Sequence, residues 1–404
     1  MNRKLLIFVL SCMVMLFIPL EVLAAGSGSD SINEGIRQIE QYNFSIHIMA
    51  MLLVGFGFLM VFIKNYGYSA ITGTFLVVSV GLPVYLLLRS TGVLSSEPIS
   101  ANNIHALLLA EFACASALIA MGAVLGRLRV YQYAILTILL VPAYMLNEWL
   151  VLDGGLGVTK GFVDSAGSIV IHAFGAYFGL GMTLMITNAI DRNKNIDSDE
   201  TSDRFSVLGS MVLWIFWPSF CSAIVSPEQM PQTVLNTILA LCGATIITYI
   251  ASSLLRKGKT SIADMANAAL AGGVAIGATC NLVTSPAAFL IGLLAGALSV
   301  IGFVFIQPKL QSSLKIVDSC GVHNLHGMPG LLGGIIAIFV VPGIAQAQII
   351  GILFTVVLAF LTGAIAGLII KVTGKKQLAY EDKDEFALQT PELIFAASTA
   401  TKNH

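Results

Sequence analysis

The chain is 404 residues long, 56% of them hydrophobic and only 11% charged, against about a quarter charged in an ordinary soluble domain. Long apolar runs with hardly a charge inside them exclude a water-soluble fold and make lipid the solvent for most of the chain. A formal net charge of -1 leaves no basic surface of the kind that neutralises phosphates, which argues against a nucleic-acid partner.

The first 25 residues open on Arg3 and Lys4, run through an apolar stretch interrupted by Pro19 and Glu21, and end on Ala24 and Ala25. That pattern predicts a cleaved signal peptide over 1–25, which places the mature amino terminus outside the cytoplasm. Apolar segments come next, near 44–63, 67–88, 104–126, 131–152, 164–190, 205–225, 233–255, 261–283, 286–307, 318–341 and 345–372. Each is long enough to span, since about 20 residues rising about 1.5 Å apiece cross about 30 Å of hydrocarbon. Backbone amides in lipid must pair within their own segment and alternating strands are absent, so the expected fold is an all-α polytopic membrane protein of eleven spans.

Eleven spans that start outside end inside, and the basic residues agree with that topology. Lys64, Arg127, Arg129, Arg192, Lys194, Arg204, Arg256, Lys257, Lys259, Lys309, Lys315, Lys371, Lys375, Lys376, Lys383 and Lys402 fall on inner connections, whereas only Arg37, Arg89 and Lys160 fall on outer ones. The cell inner (plasma) membrane is the expected location. The predicted organisation is a first half at 26–190, a cytoplasmic linker at 191–204, a second half at 205–372 and a polar, partly mobile cytoplasmic tail at 373–404. Six cysteines make no disulfide framework: Cys12 lies in the leader, and Cys114, Cys221, Cys242, Cys280 and Cys320 sit in or at the ends of apolar segments.

The two halves carry a repeat. Asp164-Ser165-Ala166-Gly167 is followed by His172, and Asp318-Ser319-Cys320-Gly321 by His326, both of the form D-S-x-G-x-x-x-x-H. Because five spans separate the copies, they run in opposite directions, an inverted five-plus-five arrangement. Eight helical residues carry each histidine about 12 Å from its aspartate, so the imidazoles are expected to converge at mid-depth, where inverted-repeat transporters place their central site. An ionisable residue in a span suggests a pathway, and the duplication favours that reading for His172 and His326 over the commoner one of a satisfied buried histidine. His47, His105 and His323 read as packed or end-of-helix residues. Asp164 and Asp318 open their spans, where a carboxylate accepts from unpaired amides.

The run from Asp164 through His172 into AFGAYFGL, LWIFWPSF ending at Phe220, NAALAGGVAIG at 267–277 and DSCGVHNLHGMPG at 318–330 resemble the Rhesus (Rh) branch of the ammonium transporter family over nearly the whole mature chain. The resemblance implies a homotrimer in which each subunit has a narrow pore for ammonia, with His172 and His326 as its histidine pair. It further implies two stacked outer-gate phenylalanines, matched by Phe112 and Phe220, and an aromatic at Trp217. Residue counting places the two phenylalanines at a similar depth below the outer ends of their spans, about 12 Å for Phe112. Where the bacterial and plant branch has a tryptophan twelve residues before the aspartate, this chain has Leu152, and losing an aromatic face there forfeits a cation–π attraction of about 0.5 to 2 kcal/mol.

A bare cation in a narrow apolar pore loses hydration at a cost of several kcal/mol or far more, whereas neutral ammonia loses only hydrogen bonds. Ammonium is therefore expected to leave its proton before the constriction. Methylammonium fits the same scheme, and potassium, which has no proton to lose, does not. No cofactor is implied and no metal. Carbon dioxide is the alternative cargo of such a passage. A reading from another class has the two histidines ligating haem or a metal in a redox protein, although no acidic or cysteine cluster stands at ligand spacing around either.

Overall fold

The computed structural model describes residues 28–94, 103–374 and 376–387. The predicted leader, 1–25, and the end of the tail, 388–404, lie outside the described residues. The chain has two compact units, Met1–Glu40 and Gln41–His404. In the first, the described residues form the beginning of the helix Gly28–Ala50; the features below belong to the second.

Every regular element among the described residues is helical. Among the described residues ten helices are long and apolar enough to cross a membrane: α1 (Gly35–Phe62), α2 (Gly67–Ser90), α3 (Ile104–Val124), α4 (Val130–Val151), α5 (Ser168–Ile186), α6 (Glu200–Ser222), α7 (Met230–Leu255), α9 (Ser285–Leu314), α10 (His323–Val340) and α11 (Ala345–Thr373). The eighth predicted span, 261–283, is shorter than expected: the helical stretch α8 covers only Ile262–Ile276. It is α-helical over Ile262–Asn267, a 3-10 turn over Ala268–Leu270 and α-helical again over Ala271–Ile276. The chain leaves helical geometry there because the carbonyls of Gly277 and Ala278 accept from the amides of Ala166 (2.7 Å) and Ser165 (3.3 Å), in another segment.

Two helix pairs approach most closely, α7 with α9 and α5 with α11. A Cβ on Gly292 would lie 2.0 Å from the Ala240 carbonyl oxygen, and one on Gly363 2.0 Å from that of Phe178. Hydrogen in place of a side chain is what permits backbones this close, the device expected where lipid offers helices no hydrophobic drive to associate. The outward faces are apolar instead, Phe339 and Val372 being more than four-fifths exposed.

The sequence makes 191–204 a linker. In the structure α6 starts at Glu200, because the Asp199 carboxylate accepts from the amides of Thr201 and Ser202, which also holds that carboxyl below its ordinary range. The described part of the tail, 376–387, is packed. Asp382 accepts from the amides of Tyr68 (3.0 Å) and Ser69 (2.8 Å) at the start of α2, and the Tyr380 amide donates to the Gly126 carbonyl (2.9 Å). Lys376 is buried with its ammonium 5.4 Å from the centre of the Tyr66 ring, and burial pushes its pKa down.

Candidate functional site: a histidine pair among aromatic rings

Both copies of the repeated motif make the same local structure. The motif glycines, Gly167 and Gly321, adopt φ of +79° and +68°, a left-handed conformation that glycine enters without steric cost. A Cβ would lie 2.3 Å from Ile171 Cδ1 at Gly167 and 2.3 Å from Phe303 Cε1 at Gly321. Each aspartate caps the first turn of the helix after it. Asp164 Oδ2 accepts from the amides of Ile169 (2.9 Å) and Val170 (2.8 Å); Asp318 accepts from Val322 on Oδ1 (3.0 Å) and from His323 on Oδ2 (3.1 Å).

Each helix then opens with a π turn, Ser168–Ala173 in α5 and His323–Gly327 in α10, and each turn carries the motif histidine. In the first, the His172 amide reaches back five residues to the Gly167 carbonyl at 3.0 Å. Eight residues of continuous α-helix therefore do not separate either aspartate from its histidine, and the 12 Å rise expected from sequence does not apply. π turns concentrate at functional positions because they rotate one side chain out of the regular α-helical register.

The two imidazoles meet. His172 Nδ1 and His326 Nδ1 are 3.2 Å apart, with ring centres 5.3 Å apart and planes 6° from parallel. Both residues are buried. One hydrogen lies between the two Nδ1 atoms when both rings are neutral, so the pair presents one Nε2 acceptor and one Nε2–H donor to whatever lies beside it. His172 Nε2 has no partner among the described residues.

Aromatic rings continue on either side. Trp217 stacks on His172 at 5.6 Å and 20°, and Phe220 stands 6.0 Å from His172. The Phe112 and Phe220 rings are 4.7 Å apart and tilted by 57°, in contact but not stacked in parallel as the resemblance implies. Equal depth does not explain their meeting: Phe112 is eight residues from the start of α3, whereas Phe220 is two from the end of α6. Leu152 is 40% exposed at the end of α4.

On the other side, Phe56 stands 6.2 Å from His326, on a further π turn, Met51–Phe56. Phe56, Met60, Leu118, Asn267, Cys320 and His326 are among the residues lining a cavity of about 20 Å³, room for one water-sized molecule. Sequence reasoning missed Phe56, which carries no motif. It also missed Arg127, read as a loop charge. Arg127 is buried, and its Nη2 donates to the carbonyls of Ala123 (2.6 Å) and Val317 (2.6 Å) and to Thr183 (2.8 Å). Of the other histidines, His47 is hydrogen-bonded to Ser219, and His323 stands edge-on to Tyr177 at 5.8 Å. Among the described residues no group of three or more His, Cys, Asp or Glu side chains is placed to hold a metal ion.

Residues 5–390 match the model of the Ammonium Transporter Family. The chain belongs to that family. It is 34% identical to Ammonium transporter Rh type C of Rattus norvegicus over 86% of this chain and 76% of that one. To Ammonium transporter Rh type B-A of Xenopus laevis it is 39% identical over 73% of this chain, and the match spans 64% of the relative's length. The solved structure of Rh50 from Nitrosomonas europaea, of the Rhesus protein family of channels, shares 61% of its sequence with this chain, with a TM-score of 0.87 over 92% of this chain and 100% of that one. This family member is thus of Rh type. The fold extends further, to Mep2 of Saccharomyces cerevisiae at 17% identity, with a TM-score of 0.69 over 82% of this chain and 84% of that one.

Proposed function

We propose that the chain is a transporter of ammonia and ammonium, not an enzyme, and that ammonia crosses beside His172 and His326. The observation that carries this reading is the imidazole pair, 3.2 Å apart and buried among Trp217, Phe220 and Phe56. A neutral pair offers one donor and one acceptor where a small hydrogen-bonding molecule would otherwise be unsatisfied. The surrounding rings offer a cation only a cation–π attraction of about 0.5 to 2 kcal/mol, too little to replace its water, so the proton stays behind and potassium is refused. Phe112 and Phe220 form the outer gate in this reading, Asp164 and Asp318 fix the turns that aim the histidines, and Trp217 packs the first of them. With Leu152 at its position, the outer mouth lacks an aromatic cation site.

Matched backbone bonding supports the inverted repeat with halves at 26–190 and 205–372. Ser165 and Ala166 bond to the end of α8 as Ser319 and Cys320 bond to the end of α3, five helices earlier. The distribution of Lys and Arg supports an outer amino terminus and an inner carboxyl terminus, and the plasma membrane is the location that goes with this reading. Assembly as a homotrimer rests on the family.

The test is uptake of labelled methylammonium into proteoliposomes with parallel current recording for His172→Leu, His326→Leu and His172→Glu. Loss of conduction of about tenfold or more is expected in the leucine variants, which remove a hydrogen-bonding partner worth about 1.5 kcal/mol. Potassium leakage is expected in the glutamate variant. If all three conduct like the parent and reject potassium, the pair is structural. Carbon dioxide flux that persists where ammonia flux is lost assigns that gas a separate route.

A further inference from the structure

Each of the two outer phenylalanines is preceded by a residue hydrogen-bonded to α1. Ser45 Oγ donates to Glu111 Oε1 at 2.6 Å, and Glu111 precedes Phe112. His47 Nδ1 and Ser219 Oγ are 2.9 Å apart, and Ser219 precedes Phe220. The His47 ring also stacks on Phe216 at 4.9 Å and 24°, one helical turn before Phe220. We propose that Ser45 and His47 are positioning residues of the Phe112–Phe220 pair, which α1 holds at a set separation. The proposal rests on the reading of that pair as the outer gate.

Residues two apart on an α-helix point about 200° apart around its axis. Ser45 and His47 therefore leave α1 on nearly opposite sides, one toward α3 and one toward α6, and α1 is wedged between the two helices that carry the rings. Ser45 is 3% exposed and Glu111 0%. Among the described residues Ser45 is the only hydrogen-bond partner of the Glu111 carboxyl, whose Oε2 has none. A buried acid with one partner is an expensive feature to carry for packing alone. On the α6 side, a polar bond and a ring stack from one histidine fix both the rotation and the depth of the helical turn from Phe216 to Phe220. The ring contact of 4.7 Å thus depends on the position of α1.

Ser45→Ala, His47→Ala and the double variant are measured in proteoliposomes as the ratio of methylammonium to ammonia flux. Each single change is expected to shift that ratio by about fivefold, the factor that corresponds to about 1 kcal/mol for one buried hydrogen bond. Ser45→Thr and His47→Asn, which keep a hydroxyl and a group at the Nδ1 position, are expected to restore it. In Phe112→Ala or Phe220→Ala backgrounds the α1 changes are expected to add nothing, because no ring contact is left to set. An unchanged ratio in the single variants, or an equal shift with and without the phenylalanines, overturns the positioning role while leaving the gate standing. If the phenylalanine variants themselves do not alter the ratio, it is the gate that fails, and the proposal with it. Should Ser45→Ala fail to assemble, Ser45→Cys keeps the volume, weakens the donor and reads out the same loss.

Discussion

At Asp164–His172 the chain is bonded to the backbone end of the interrupted α8, whereas at Asp318–His326 it is bonded to the end of α3, with the buried Arg127 holding the Val317 carbonyl just before it. The copies share the capping aspartate, the left-handed glycine and the π turn, so the sequence motif encodes a way of presenting an imidazole. What each copy faces is set by its neighbours. His172 meets Trp217 and Phe220, while His326 meets Phe56 and a cavity of about 20 Å³. One conformation used twice thus gives a closed aromatic side and a side with room for a molecule.

The aspartates offer the sharpest way to separate the copies. Asp164 receives both of its amide bonds on Oδ2, whereas Asp318 spreads its two over Oδ1 and Oδ2. An asparagine has one acceptor oxygen, so Asp164→Asn can keep both bonds, and Asp318→Asn must turn its NH2 toward an amide that needs an acceptor. Removal of either carboxylate by alanine is expected to cost about 3 to 5 kcal/mol, two bonds to a charged group. The asparagine variants should diverge: Asp164→Asn close to the parent, Asp318→Asn close to its alanine variant. Thermal midpoints in detergent measure this. Equal loss in both asparagine variants would show that charge, not acceptor count, holds these turns.

A smaller difference is expected at the glycines. Alanine at either position costs about 1 to 2 kcal/mol for the left-handed backbone. At Gly167 the new methyl meets Ile171, four residues on in the same turn; at Gly321 it meets the Phe303 ring of another helix. A rotamer change can carry Ile171 Cδ1 and Cγ1 away and leaves only its Cβ at 2.9 Å, whereas the packed Phe303 ring, 2.3 Å away, moves less readily. Gly321→Ala should therefore lower the thermal midpoint more than Gly167→Ala, by the equivalent of about 1 kcal/mol more. The reverse order would mean that α9 yields more easily than the turn itself.

The sequence discloses those features that repeat or that solvent dictates. Ten spans are legible because about 20 apolar residues in a row have one physical meaning, and the paired D-S-x-G-x-x-x-x-H runs point to His172 and His326. Hydropathy could not show that α8 stops at Ile276, because the carbonyls just beyond it are used by residues more than a hundred positions away. Charge counting placed Arg127 on the connection between α3 and α4, where it stands, but could not show its burial for a related reason. A guanidinium that bonds the Val317 carbonyl counts as a loop charge until the fold brings that carbonyl to it. π turns leave no composition behind them, and Phe56 resembled any other apolar residue of α1.

The smallest expected effects lie at the rings beside the pair, Trp217 next to His172 and Phe56 next to His326. The Trp217 side chain is 2% exposed, and its indole N–H has no partner among the described residues. Trp217→Phe therefore breaks no hydrogen bond and keeps an aromatic face on His172, so a stability change of about 1 kcal/mol and a small change in flux are expected. Phe56 differs because it borders open space. Phe56→Leu shortens a wall of a cavity that holds one water-sized molecule, so the methyl group of methylammonium should pass more readily. A rise of about two- to fivefold in the methylammonium-to-ammonia flux ratio is expected, less than the about 10- to 200-fold that a whole methylene is worth in an enclosed apolar pocket, because the leucine opens only one wall. Measured side by side in proteoliposomes, the two variants ask which flank of the pair discriminates by size. If Trp217→Phe shifts the ratio more than Phe56→Leu, the narrowest passage lies on the Phe112–Phe220 side, and the cavity beside His326 is a waiting place rather than a sieve.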